Sequence, residues 1–487
     1  MTRASWIALA SLVAVAGCAP PQQQFVDSMA AALGGREKID AAHGLELLGE
    51  GLNYNLGQDL TPGAATQTFK ITDYRRRVDL TAGRIRIDQT RTPQFAYFQG
   101  PQPQIQILGL DGDVGYNSTQ AGASARVGAQ ATKDRRTEMY HHPLVIARAA
   151  LAPTTQVTNV RDAGTGKMAD VTLADGQMFT VVTDTTGLPI RVESKTYHPN
   201  LGDVTLSTTF ANYQEVAGLK LPTRLTTRTD DFTTADITVN TQSVSAEPKD
   251  LALPGDSPAA PVPPPPTVTA EPVAKGVWFL AGQSHHSVLV EFSDHLVLIE
   301  APLSEARTLA VIAKAREIVP GKPLTTLVTT HHHFDHTAGL RAAISEGLKV
   351  ITQAGNKDFV ETMAKRPHTL QPDALARTPK PVTVETVDDE LVLKDSGTPK
   401  GAPYVQSVVL YHVAGNPHSD TMLMAYFPAE RVLVEADAFT PGSAVQPYAA
   451  NLLENITKRN LKVDRIVPLH GAMAKFEELK KLGGRGL

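Results

Sequence analysis

The segment Thr330-His331-His332-His333-Phe334-Asp335-His336 decides how the second half of this chain is read. It follows the β-branched run Leu324-Thr325-Thr326-Leu327-Val328-Thr329. Short runs of this type form buried strands, so the histidines stand where a strand gives way to a loop. The spacing His331-x-His333-x-Asp335-His336 concentrates imidazole and carboxylate in one short turn of chain. Those are the donor types of catalytic zinc, which takes three protein ligands and keeps a position open. A solvated His-rich loop has the same composition, so distant partners must decide between the two.

Such partners recur at later strand ends. Val408-Val409-Leu410-Tyr411-His412-Val413 leads into Gly415-Asn416-Pro417-His418-Ser419-Asp420. Arg431-Val432-Leu433-Val434-Glu435 leads into Ala436-Asp437-Ala438, and Arg465-Ile466-Val467-Pro468 into Leu469-His470-Gly471. In layered α/β proteins, sites gather where strand ends from separate segments converge. Before the run Leu324 to Thr329, Ser304 to Val319 has the apolar spacing of a helix with Ser304 as N-cap, and after its histidines Thr337 to Glu346 is a second helix. Strands and helices alternate, so this half is α/β.

On these motifs, residues 273–487 resemble the metallo-β-lactamase-fold superfamily. The resemblance implies a four-layer αβ/βα sandwich, with helices outside two sheets. It implies a first metal on the positions of His331, His333 and His418, and a second on Asp335, His336 and His470, with Asp437 bridging both. The expected cofactors are two divalent metal ions, zinc first, although imidazole and carboxylate also suit iron or manganese. Two such ions share a water and lower its pKa, and the resulting hydroxide attacks an electrophilic centre. Asp335 is the expected catalytic carboxylate, accepting a hydrogen bond from that nucleophile. The expected substrate is a small molecule with an amide, lactone, ester or thioester bond. A β-lactam is one option, which fold alone does not establish. Di-iron oxidoreductases on this fold usually carry Glu at the position of His333, which argues against that chemistry. Two departures from the family pattern stand out: Glu300 where many members have Asp, and Asn416-Pro417 inserted before His418. His285, His286 and Tyr448 are candidate pocket residues. His332 is expected outside the ligand shell or exposed, and His295, His368 and His412 are expected to be structural.

The remainder of the 487 residues is too long for the same core. Met1-Thr2-Arg3 followed by the apolar run Trp6 to Ala16 is too short to span a bilayer and fits an export signal over 1–17. Val15-Ala16-Gly17-Cys18 resembles the lipobox of bacterial lipoproteins, and Cys18 is the single cysteine of the chain. That resemblance implies lipidation at Cys18, a tether over 18–24, and attachment to a membrane of the bacterial cell envelope, facing the periplasm or the surface. Residues 25–246 are expected to form a mainly antiparallel β domain, because short alternating runs are punctuated by Asp111-Gly112, Asp175-Gly176 and Thr186-Gly187. Helices are expected near Phe25–His43 and Leu144–Leu151. Tyr213 to Pro222 resembles a strand–turn–strand phrase of periplasmic lipoprotein carriers. Arg75-Arg76-Arg77 reads as a solvated strand edge, and His141-His142 as structural. Residues 247–272, with Pro263-Pro264-Pro265-Pro266, are expected to be a linker. A net charge of −4 without a basic run argues against a nucleic-acid partner. The competing function is a lipid- or ligand-binding envelope lipoprotein in which the metal domain is accessory. The sequence does not fix an oligomeric state.

Overall fold

The computed structural model describes residues 19–97, 99–246, 251–395 and 405–483. The expected export signal and Cys18 lie outside the described residues. Helix Pro21–Leu33 opens the described chain, and Gly34-Gly35 separates it from helix Arg36–Ala41. A 13-stranded antiparallel sheet follows. Its first six strands are laid down outward from Gly44–Tyr54, and the last seven return so that Phe232–Ser245 pairs with that same strand. Pro21–Leu33, Ala129–Tyr140 and Pro143–Leu151 cover the sheet, and Met29, Leu33, Ile146 and Phe179 meet in one buried core.

The Arg75–Arg77 stretch corrects an expectation. It lies in strand Thr68–Asp79, which pairs on both sides, with Gly44–Tyr54 and with Arg84–Pro93. Arg76 is 3% exposed, and its Nη2 donates to the carbonyls of Glu138 and Met139 at the end of helix Ala129–Tyr140. The row of cations is therefore an interior strand whose middle member caps a helix C-terminus. The histidine pair is structural: His141 sits between Thr208 Oγ1 (3.0 Å) and Ser194 Oγ (2.9 Å), and His142 accepts the Leu144 N–H at the next helix start.

After residue 250 the chain runs along the β domain. Tyr116 Oη donates to the Leu251 carbonyl at 3.2 Å, and Leu253 N donates to Asp111 at 2.8 Å. The linker expectation overran its end, because Thr269–Ala274 is a strand paired with Val277–Ala281. It forms the sheet edge, the position in which Pro272 costs no ladder hydrogen bond.

The remaining chain folds as the expected αβ/βα sandwich. One sheet has seven strands and the other six. Val290, Ile299, Val328 and Ile351 of the first face Leu410, Ala425, Val434 and Val467 of the second across an apolar core. Helix Glu305–Ile318 packs outside the first sheet and helix Ala449–Lys458 outside the second. The Ser304 side chain accepts the Arg307 N–H at 3.1 Å, the N-cap its sequence suggests. Leu296–Ile299, Leu324–Val328 and Lys349–Gln353 run parallel, as do Val432–Glu435 and Arg465–Pro468. Parallel strands end on the same side, so their following loops gather at one edge of the sandwich.

Candidate metal centre

Each donor sits one to a few residues past a strand. Thr330–His336 follows Leu324–Val328, Glu300 follows Leu296–Ile299, and His418 lies beyond Ser407–His412. Asp437 follows Val432–Glu435, and His470 follows Arg465–Pro468. Rigid strands fix the origins of these side chains, and short loops aim them. Glu300 and Asp437 both adopt left-handed backbone (φ +77° and +61°), a conformation non-glycine residues rarely take and one that gathers at functional sites.

Two four-residue sets of donors converge, and Glu300 forms a smaller third group with His331 and His336. His331, His333, His418 and Asp437 form one, with donor atoms within 4.8 Å of one another, and His285, Asp335, His336 and His470 form the other. Every residue expected as a ligand falls in one of the two. His333 Nδ1 stands 3.0 Å from His418 Nε2, and His470 Nε2 stands 3.3 Å from His336 Nε2. Two donors on one tetrahedral zinc at about 2.0–2.1 Å are themselves about 3.3 Å apart. Asp437 joins the sets: its Oδ2 is 2.8 Å from His418 Nε2 and 3.2 Å from His336 Nε2, and its Oδ1 is 2.8 Å from His470 Nε2. His331 is fully buried, and its Nε2 has no hydrogen-bond partner among the described residues. An orphaned imidazole nitrogen inside a ring of imidazoles and carboxylates fits a divalent cation.

The electrostatics agree with that donor chemistry. Burial, helped by neighbouring imidazoles, holds His331 and His333 well below the usual histidine range, so both are neutral and carry a lone pair. Burial opposes a charge on His336 as well, but Asp437, Asp335 and Glu300 outweigh it and raise that imidazole well above its ordinary value. Asp437 is likewise pushed up by burial, yet His336, His470 and His418 pull it well below the carboxylate range. Asp335 is lowered in the same way, chiefly by His336.

A supporting layer surrounds the donors. Glu300 is fully buried, accepts from Thr330 N at 3.3 Å and from the Thr330 hydroxyl, and stands 3.1 Å from His336 Nδ1. Glu thus fills the supporting position that Asp holds in many family members, and its contact with Nδ1 leaves Nε2 facing the donors. Thr330 Oγ1 lies 3.0 Å from His331 Nδ1. Glu435 is fully buried, and burial raises its carboxyl well above the normal range. Its Oε2 accepts the N–H groups of Ala438 (3.0 Å) and Phe439 (3.1 Å) and so shapes the turn that carries Asp437.

The candidate pocket residues separate. His285 joins the donors: its Nε2 is 3.4 Å from Asp335 Oδ2, its ring lies 3.6 Å from that of His470, and burial lowers its pKa to about 4. The His286 ring packs on Phe279 at 4.8 Å and accepts the Gly282 N–H, so it serves the turn. Tyr448 is buried with its ring 4.9 Å from that of His418, and its hydroxyl donates to the Ala96 carbonyl. His332, read as outside the shell or exposed, is 3% exposed, with Nδ1 at 3.3 Å from Thr421 Oγ1 and its ring against Phe359. Gln58 and Asp59, which nothing in the sequence marks, also reach the centre from the N-terminal sheet.

Residues 280–482 match the model of the metallo-beta-lactamase superfamily. Solved structures similar to this chain include the metallo-beta-lactamase FIM-1 from Pseudomonas aeruginosa in its mono-zinc form, with 17% identity and a TM-score of 0.34, covering 45% of this chain and 94% of that one. A metallo-beta-lactamase from Hirschia baltica shows 16% identity and a TM-score of 0.34, covering 45% of this chain and 97% of its own. No curated protein matches the chain. The family match supports a metal-dependent hydrolase.

Proposed function

We propose, from the match of residues 280–482 to the metallo-beta-lactamase superfamily, that the protein is a dinuclear metallohydrolase acting on the amide, lactone, ester or thioester bond of a small molecule. The observation that carries this reading is the single carboxylate of Asp437 standing between two complete donor sets. His331, His333 and His418 would hold one ion, Asp335, His336 and His470 the other, with zinc as the first expectation. Bound divalent ions supply Lewis acidity and acidify water near neutral pH. The chain's own groups do the rest. Asp335, held as a carboxylate by His336, is the most open donor at 37% side-chain exposure, so it is placed to accept a proton from an attacking water. His285 is neutral above about pH 4, and its Nε2 steadies Asp335 from the side. Because the donor sets are complete, nothing favours a purely ligand-binding role.

Full-length protein is expected to carry about two metal ions per chain and to hydrolyse a member of a lactone, thioester, ester and amide panel, β-lactams included, until a chelator is added. Less than about one ion per chain, together with no chelator-sensitive hydrolysis, sinks the proposal. The pH dependence has a definite sign. His336 is held protonated by the carboxylates facing it, and an ion must displace that proton. Ion affinity therefore falls as pH falls, by about tenfold per unit for each proton released, which zinc titrations at several pH values measure.

We also propose lipid attachment at Cys18, supported by Val15-Ala16-Gly17-Cys18. Among the described residues no helix is long and apolar enough to cross a membrane. Acyl chains on Cys18 would hold the chain at a membrane of the cell envelope. Metabolic labelling with a fatty-acid probe is expected to mark the wild type and to vanish in Cys18→Ala; equal labelling of both rejects the anchor.

A further inference from the structure

The segment 55–67 joins strand Gly44–Tyr54 to strand Thr68–Asp79 of the N-terminal sheet, yet it ends up against the donors of the other domain. Gln58 Nε2 donates to Asp335 Oδ1 at 2.8 Å. The main-chain carbonyl of Asp59 lies 2.9 Å from His333 Nε2. A carbonyl can only accept, so Nε2 carries the proton, and His333 Nδ1 keeps its lone pair toward His418. Gly57 O accepts the Phe334 N–H at 3.1 Å, and Leu60 O accepts the Asp420 N–H at 2.9 Å. One loop thus bonds to the segment that carries His331–His336 and to the one that carries His418.

This approach is built in. Gly57 has φ +79°, and a Cβ there would lie 2.2 Å from the Phe334 ring, so glycine is required on both counts. Asp59 is 6% exposed. A second N-terminal segment touches the same rim through the bond from Tyr448 to Ala96. The result is asymmetric. His331 and His333 are closed off at 0% and 1% exposure, while the side chains of Asp335 and His470 keep 37% and 23%.

We propose that the N-terminal β domain completes the hydrolase site: Gln58 and the Asp59 carbonyl are positioning groups that set the orientation of Asp335 and the tautomer of His333. The same loop closes the His331–His333 side, so substrate reaches the centre from the side of Asp335 and His470. This rests on the metal-centre assignment above. Partners that orient metal-ligating histidines and carboxylates typically change metal affinity by about 10–100-fold when removed.

The test uses the full chain with Gln58→Met, Gln58→Ala and Gly57→Val, reading zinc affinity by competition with a chromogenic chelator, kcat and KM on whichever panel substrate is turned over, and thermal melting. Gln58→Met keeps the side-chain length and removes the amide whose Nε2 meets Asp335, so a space-filling role predicts no change. The expected result is zinc binding weaker by about tenfold in both Gln58 variants, a fall in kcat larger than the rise in KM, and melting close to wild type. Gly57→Val is expected to lift the loop and weaken zinc further; if it does not fold, the Gln58 pair decides. Wild-type zinc affinity in both Gln58 variants overturns the proposal, whether or not a substrate has been found. A wild-type chain that binds no zinc instead overturns the metal-centre reading on which it rests.

Discussion

Asp437→Asn in the full chain is expected to lower hydrolysis by about 10³-fold, or about 4 kcal/mol of barrier, while the fold survives. The two halves of that expectation have separate causes. Among the described residues, Asp437 is the one carboxylate within 3.2 Å of all three of His418, His336 and His470, so it serves both donor sets. Its charge is stabilised by those imidazoles, and burial would otherwise resist it. An amide of the same shape keeps the volume and loses the charge. The backbone at this position is left-handed, φ +61°, and asparagine is among the few non-glycine residues that accept it readily. Lost activity in Asp437→Asn therefore reports ligation rather than misfolding. Metal analysis should show at least one of the two ions depleted, and circular dichroism should be unchanged. A variant with full metal content and full activity would remove Asp437 from the centre.

The donors were legible because their chemistry is written in residue types at strand ends. His331, His333, Asp335 and His336 occupy one short stretch, and each later partner follows a β-branched run of a kind that periodicity recognises. The alternation of strands and helices made an α/β half legible, while the sandwich itself was implied only by the family resemblance; Ser304 marked a helix start that the structure bears out. Sheet order was not legible. Arg75–Arg77 suggests an exposed edge, because local sequence carries no record of which strand becomes the other neighbour, and here Gly44–Tyr54 and Arg84–Pro93 enclose it. Helix Ala129–Tyr140 was missed because it is polar along most of its length and shows no apolar stripe. Gln58 was invisible for a further reason. It lies 277 residues from Asp335, in an ordinary polar loop, and only the docking of the two domains gives it a role.

Arg307→Ala is expected to destabilise the protein by about 3 kcal/mol, a loss traceable to one buried guanidinium. Arg307 sits in the first turn of helix Glu305–Ile318 and is fully buried. Its Nη1 donates to Thr267 O at 3.3 Å, and its Nη2 to Leu280 O at 3.1 Å and His285 O at 3.4 Å. Those carbonyls belong to the chain leading into the edge strand, to the end of Val277–Ala281, and to the turn that presents His285 to the metal centre. Among the described residues no carboxylate forms an ion pair with it, and burial lowers its pKa. The approach is close enough that a Cβ on Gly282 would come within 3.0 Å of Nη1. Truncation removes a charged donor from three carbonyls and leaves a cavity the size of the lost side chain, and each effect is destabilising. Lysine is expected to recover only part of the loss, since a compact ammonium cannot reproduce the planar fork that reaches separate carbonyls. The chemical-denaturation midpoint reads the stability, and zinc affinity reads whether the His285 turn has loosened with it. If Arg307→Ala unfolds within about 0.5 kcal/mol of wild type, the guanidinium is not the clamp that these contacts describe.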